Sequence, residues 1–141
     1  MNRMKFLLLL LATVAFAQLP NTKLTPGATL KVTREQVCTP GYTDKARRVS
    51  SKTKAFVFKE YGLEYDTQHY EIDHLVALEV GGANTVNNLW PEPYAGSMGA
   101  KAKDKLENKL HRMVCAGQIP LAKAQHELAT DWAAAYRRYV K

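Results

Sequence analysis

Residues 70–90 read YEIDHLVALEVGGANTVNNLW. Tyr70, Ile72, His74, Val76, Leu78 and Val80 alternate with Glu71, Asp73, Leu75, Ala77 and Glu79, and the run stops at Gly81-Gly82. Period-two alternation with β-branched residues predicts a strand over 70–80. A polar loop over 81–87 leads to Asn88-Leu89-Trp90, a predicted short second strand. Pro91 and Pro93 predict that regular structure breaks directly afterwards.

The period changes beyond residue 100. Leu106, Leu110, Met113 and Val114 fall at i, i+4, i+7 and i+8, the apolar face of a helix over 100–114. Lys101, Lys105 and Arg112 project from its other side. Gly117 stops that helix, and Pro120 suits the first turn of another. Leu121, Ala124, Leu128, Trp132, Ala135, Tyr136 and Tyr139 line this last helix to the C-terminus. Upstream, Ser50 and Ser51 can cap a helix over 52–61 that ends at Gly62, with Phe56, Val57 and Tyr61 as its buried stripe. Pro40-Gly41 marks a turn. Residues 18–36 carry Pro20, Pro26 and Gly27 and read as a poorly ordered lead-in with one short strand at 29–32.

Residues 1–17 read MNRMKFLLLLLATVAFA: two positive charges, an apolar run, and small residues at Ala15 and Ala17. This is the pattern of a secretory signal peptide cleaved after Ala17. The apolar run is about 12 residues where a spanning helix needs roughly 20, so no stable membrane anchor is expected. The protein is therefore read as secreted or periplasmic. The chain has 141 residues, 46% hydrophobic and 23% charged, which excludes a disordered tail, a collagen or a coiled-coil rod. Lys plus Arg number 20 against 13 Asp plus Glu, a formal charge of +7 that favours a polyanionic partner. Cys38 and Cys115 are the only cysteines. Export places them where disulfides persist, so they are expected to pair. Two thiols cannot build a four-thiolate zinc knot.

The chemistry-bearing residues are adjacent Asp73-His74, then Gly81-Gly82, then Asn88 before Leu89, with a basic helix following. This order resembles the HNH endonuclease family, whose site is a β-hairpin and a helix gripping one metal ion. More narrowly it is similar to small exported bacterial HNH-nuclease-like proteins. The resemblance is carried by EIDHLVALEVGGANTVNNLWPEP and by AKDKLENKLHRMVC, and it covers roughly residues 37–140. It implies one α+β domain over 37–141, a ββα-metal core with flanking helices. It also implies metal-dependent hydrolysis of nucleic-acid phosphodiesters with low sequence specificity, DNA favoured over RNA, by a monomer.

The residue types suit that chemistry. A neutral imidazole can take a proton from water near neutral pH, which casts His74 as the base. Carboxylate oxygen suits a hard divalent ion, Mg²⁺ first and Mn²⁺ second, which casts Asp73 as a ligand. Neighbours in a strand point to opposite faces, so the strand must end or bulge here if both serve one site. The resemblance casts Asn88 as a brace for the loop carrying His74 within the catalytic set. It also calls for a His or Asn ligand near the start of the helix, and residues 95–103 contain neither; Gly99 stands about where relatives can carry Asn.

The remaining ligands on offer are Asp104 and Glu107, with His111 one turn on, all within about 60° on one helical flank. They serve equally as ligands or as a surface ion-pair cluster with Lys101 and Lys103. Lys101, Lys105, Lys109 and Arg112 form a series that reads as a solvated helix face or, beside a nuclease site, as a phosphate-backbone groove, with Lys101, Lys105 and Arg112 the expected contacts. Glu71 shares a strand face with Asp73 and could hold a metal-bound water; the commoner meaning of such a residue is a solvated or salt-bridged strand position. The alternative function is a non-catalytic exported module that binds nucleic acid or another polyanion.

Overall fold

The computed structural model describes residues 19–141, so the signal peptide expected over 1–17 lies outside the described residues. The protein is α+β: helices surround one two-stranded antiparallel sheet. Two short helices come first, α1 (Arg34–Val37) and α2 (Tyr42–Ala46). Thr33 and Gln36 form a capping box that starts α1 by satisfying each other's backbone N–H groups. Helix α3 spans Ser51–Glu60, and the Ser50 hydroxyl caps it by accepting from the Thr53 N–H. Its buried residues are Val57 and Phe58, whereas Phe56, expected inside, is 46% exposed.

The hairpin pairs β1 (Tyr70–His74) with β2 (Leu89–Pro93), in the register Asp73 opposite Trp90 and Glu71 opposite Glu92. The predicted strand over 70–80 ends at His74; residues 75–77 form a buried connection and Leu78–Val80 a 3₁₀ turn. Leu75, Val76, Ala77, Leu78 and Val80 are all buried, so both sides of the chain face protein, and among the described residues no strand pairs with it. In addition, Pro91 and Pro93 do not break the second strand but lie within it. The flanking bonds Leu75 N–H to Asn88 O (2.8 Å) and Tyr94 N–H to His69 O (3.0 Å) put Asp73–Trp90 and Glu71–Glu92 at the hydrogen-bonded positions. Both prolines fall at the alternate positions, where the ladder needs no N–H.

Helix α4 (Ala100–Cys115) follows β2, and α5 (Leu121–Tyr139) packs against it. Asp131 interrupts α5 with extended backbone (φ −159°), and its carboxylate accepts from the Ala134 N–H to restart the helix. The core joins Leu75, Val76, Val80 and Trp90 to Leu106, Leu110, Val114, Leu128 and Trp132. Each large side chain so buried contributes about 1.5–3 kcal/mol.

Where the sequence predicts a loose lead-in, residues 19–36 are strapped across the glycine loop. Thr25 is buried and its hydroxyl donates to the Leu89 carbonyl at 2.9 Å. The strand expected at 29–32 is a single bridge, Thr29 with Gly82. Gly82 has no alternative at its place, because a Cβ there would meet the Val76 carbonyl oxygen at 1.8 Å. Cys38 and Cys115 form the expected disulfide, Cα atoms 5.7 Å apart across a separation of 77 residues. Closing a loop of that length stabilises the chain by about 4–5 kcal/mol in the chain-entropy model. The bond fits an oxidising, extracytoplasmic environment. Among the described residues no helix is long and apolar enough to cross a membrane.

Candidate functional site

The end of β1, the connection after it, α2 and the first half of α4 enclose a cleft of about 180 Å³. Asp73, His74, Glu79, Glu107, Thr43 and Arg47 line it. Because β1 ends at His74, Asp73 and His74 escape the alternation of a continuing strand. Asp73 Oδ1 stands 3.5 Å from His74 Nδ1.

Asn84 fixes the histidine. Its Nδ2 donates to the Ala46 carbonyl at 2.7 Å, so its Oδ1 is the atom turned to His74 Nε2 at 3.0 Å. An amide oxygen only accepts, so Nε2 carries the proton and Nδ1 is left as the basic nitrogen. The Arg48 N–H also donates to Asn84 Oδ1 at 3.3 Å, which ties the end of α2 to the imidazole.

Asn88 is completely buried and braces the connection. Its Oδ1 accepts from the Val76 N–H at 2.9 Å, and its Nδ2 donates to the carbonyls of Val76 (3.0 Å) and Ala83 (2.9 Å). One side-chain amide thus satisfies backbone that a neighbouring strand would otherwise pair. It sits at the end of a 3₁₀ turn, Val86–Asn88, and not in the strand predicted to begin there.

The acidic groups converge on α4. Oxygens of Asp73, Asp104 and Glu107 lie within 4.8 Å of one another. An all-oxygen set of this kind fits a hard divalent ion such as Mg²⁺ or Mn²⁺ and not a thiolate-seeking metal. Lys103 overturns the solvent-facing place that the sequence leaves open for it. It is completely buried, donates to the His74 carbonyl at 2.6 Å and to Glu107, and stands 3.6 Å from Asp73. The pattern that could have found it is on the helix itself: Lys103 precedes Leu106, Glu107, Leu110 and Val114 by 3, 4, 7 and 11 positions, the centre of the inward face.

No family model, curated protein or solved structure matches this chain.

The electrostatics follow from burial. Burial opposes the Asp73 carboxylate, but Lys103 and the contacts from His74 hold it well below the usual carboxylate range. Burial penalises the Lys103 ammonium too, and Glu107, Asp73 and Glu92 outweigh that and hold it charged. Burial pushes Glu107 up to about 8 against the pull of Lys103. Burial pushes Glu92 up to about 9, again against Lys103 and with repulsion from Asp73 added. Asp104 and Glu71 are raised by burial and then by Asp73.

A raised carboxyl keeps a proton in the folded chain that the unfolded chain releases. Its contribution is fully present below the ordinary carboxylate value and is lost as pH rises through the folded one. Thermal stability in EDTA should therefore fall as pH rises from 4.5 toward about 9, and Glu92→Gln should flatten that slope. Equal slopes in both proteins, from melts across that range, would remove Glu92 as the cause.

His111 does not join the acidic set. Its Nε2 donates to the Val37 carbonyl at 3.0 Å and its Nδ1 faces Glu79 at 3.7 Å. Lys105 and Arg112 line a second groove of about 420 Å³ with Asn108, Lys109, Tyr139 and Val140. Asn108 also lines the His74 cleft, so it stands between the two. Lys101 is exposed and does not line this groove. Sequence reasoning missed Asn84, Arg47 and Glu92. Only Glu92 had a local signal, as the residue opposite Glu71 once the prolines are allowed inside a strand.

Proposed function

We propose that the protein is an extracytoplasmic, metal-dependent endonuclease of the HNH type, cutting nucleic-acid phosphodiesters with low sequence specificity. One observation carries the reading: a histidine with its basic nitrogen fixed opens into the same cleft as Asp73 and Glu107, two of three convergent carboxylates of hard-ion type. Asp73, Asp104 and Glu107 would hold the ion, which supplies Lewis-acid neutralisation of phosphate charge when bound. His74 Nδ1 takes the proton of the attacking water, and the imidazolium that forms is stabilised by Asp73 at 3.5 Å. Arg47, on the cleft wall, suits a phosphate oxygen through its forked guanidinium. Contacts of this kind go to the phosphate backbone, which carries no sequence information. The test is plasmid nicking by purified protein in Mg²⁺, Mn²⁺ and EDTA: the first two should cut and the last should not.

Asn84 acts as a positioning residue. Asn84→Ala should lower kcat about tenfold with KM nearly unchanged, well short of loss of the imidazole. It should also distort the pH–rate profile, because Nδ1 and Nε2 then compete for the proton. A KM effect alone would reassign Asn84 to substrate binding.

The groove beyond Asn108 supports a path for the phosphate backbone. Lys109→Ala combined with Arg112→Ala should weaken oligonucleotide binding and reduce the salt slope by about two. Lys101→Ala should leave both unchanged; fluorescence anisotropy at several salt concentrations separates them.

Lys103 favours a second reading. An ammonium already committed to Glu107 and near Asp73 offsets part of the charge a metal would bind, as expected of a module that keeps this architecture for binding alone. Metal-independent nucleic-acid binding without any nicking is the outcome that selects it.

A further inference from the structure

The hairpin carries a second acidic constellation, which meets the α4 carboxylates at Asp73. Glu71 and Glu92 are directly paired across the strands, and Asp73 follows on the same face two residues on. Carboxylate oxygens of all three lie within 4.8 Å of one another. Like charges directly opposite in a ladder are destabilising.

Glu92 makes the arrangement costlier still. Its relative exposure is 0%, and neither of its carboxylate oxygens has a hydrogen-bond partner. Lys103 Nζ, 4.0 Å from Glu92 Oε1, is beyond hydrogen-bond reach and is committed to Glu107 and the His74 carbonyl. A buried carboxyl with both oxygens orphaned is an expensive group, and native structures pair such groups or give them to a cation. Around Lys103 stand Glu71, Asp73, Glu92, Asp104 and Glu107, five carboxyl groups to one ammonium.

We propose that Glu71, Asp73 and Glu92 form a second divalent-cation site, sharing Asp73 with the set on α4. The ligands are all oxygen, from rigid strand positions, which suits Mg²⁺, Mn²⁺ or Ca²⁺ and disfavours softer metals. Glu71 and Asp73 are the partly exposed members. Glu92 is the closed back of the site.

The site is a property of the folded hairpin and does not depend on cleavage. The probe is Mn²⁺ alone, with free ion counted by electron paramagnetic resonance. Wild type should bind two ions per chain. Glu92→Gln and Glu71→Gln should each remove one ion or weaken it at least tenfold, while Asp104→Asn should leave the hairpin ion bound. Circular dichroism checks folding; should Glu92→Gln unfold, the partly exposed Glu71→Gln decides. Wild-type stoichiometry and affinity in a folded Glu71→Gln overturn the hairpin site. Cleavage that persists alongside that result leaves the nuclease reading intact. Two bound ions with no cleavage under any condition do the reverse: the hairpin site stands and the nuclease reading falls.

Discussion

Replacing His74 with alanine should reduce DNA cleavage by about 10² to 10⁴, the usual contribution of a positioned general base. Mn²⁺ binding and the fold should change little. The imidazole bonds to Asn84 and approaches Asp73, but it pairs no backbone group, and the His74 carbonyl that receives Lys103 survives the substitution. Asn84 Oδ1 keeps the Arg48 N–H as a partner after the ring is gone. Nicking rates at saturating Mg²⁺ measure the effect directly. Wild-type rates in His74→Ala would remove the base from His74 and require another group in the cleft. Glu79 is the next to test, since it lines the same cavity and has an unpartnered carboxylate oxygen.

The second large effect is on stability. Lys103→Met keeps the length of the side chain and removes its charge from a place with no access to solvent. Asp73, Glu92 and Glu107 then face one another without a counter-charge, and breaking a buried ionic set this way costs about 3–5 kcal/mol. The sign of the pH dependence follows. Glu107 and Glu92 already hold protons up to about 8 and 9 in the wild type, and without the ammonium they release them later still, so the deficit should be smaller at about pH 6 and larger at about pH 9. Urea unfolding in EDTA at both values measures it. A deficit below about 1 kcal/mol at the higher pH would mean that the cluster is solvated and the lysine not its organiser. Rescue of Lys103→Met by added Mn²⁺ would show an ion taking over the lost charge.

The two predictions bear on different features of one cluster. His74 tests whether the cleft does chemistry, and Lys103 tests what holds its carboxylates in place. Both differ from the hairpin test, which counts ions and reads neither rate nor stability. A protein that loses stability on Lys103→Met while never cutting DNA is the binding module described above, with the ammonium standing where catalysis would need more metal.

Several features were legible in the amino-acid order alone because their causes are local or chemical. The helices over 100–115 and 121–139 follow from apolar residues at helical spacing, and Ser50 announces the start of α3 by its capping hydroxyl. The disulfide follows from two cysteines and an oxidising compartment. Asp73, Asp104 and Glu107 were named from residue type and helical angle, and the fold brings them together. The HNH resemblance rests on residue order and stays a resemblance.

The rest was decided by contacts between distant segments, which no local period encodes. Leu75 to Val80 look like the continuation of a strand, but both of their sides are covered by protein, and Asn88 takes the backbone bonds that a neighbour would have supplied. The lead-in looks loose from its prolines and glycine, yet the glycine loop it crosses leaves room only for a bare backbone at Gly82 and accepts its hydrogen bonds. Pro91 and Pro93 read as breakers until strand register places them at positions that need no donor. Lys103 reads as a surface charge until three carboxylates from two strands and one helix close around it. In each case the sequence states what a residue can do by itself, and tertiary packing decides it, because burial turns an unpaired polar group from a small cost into a large one.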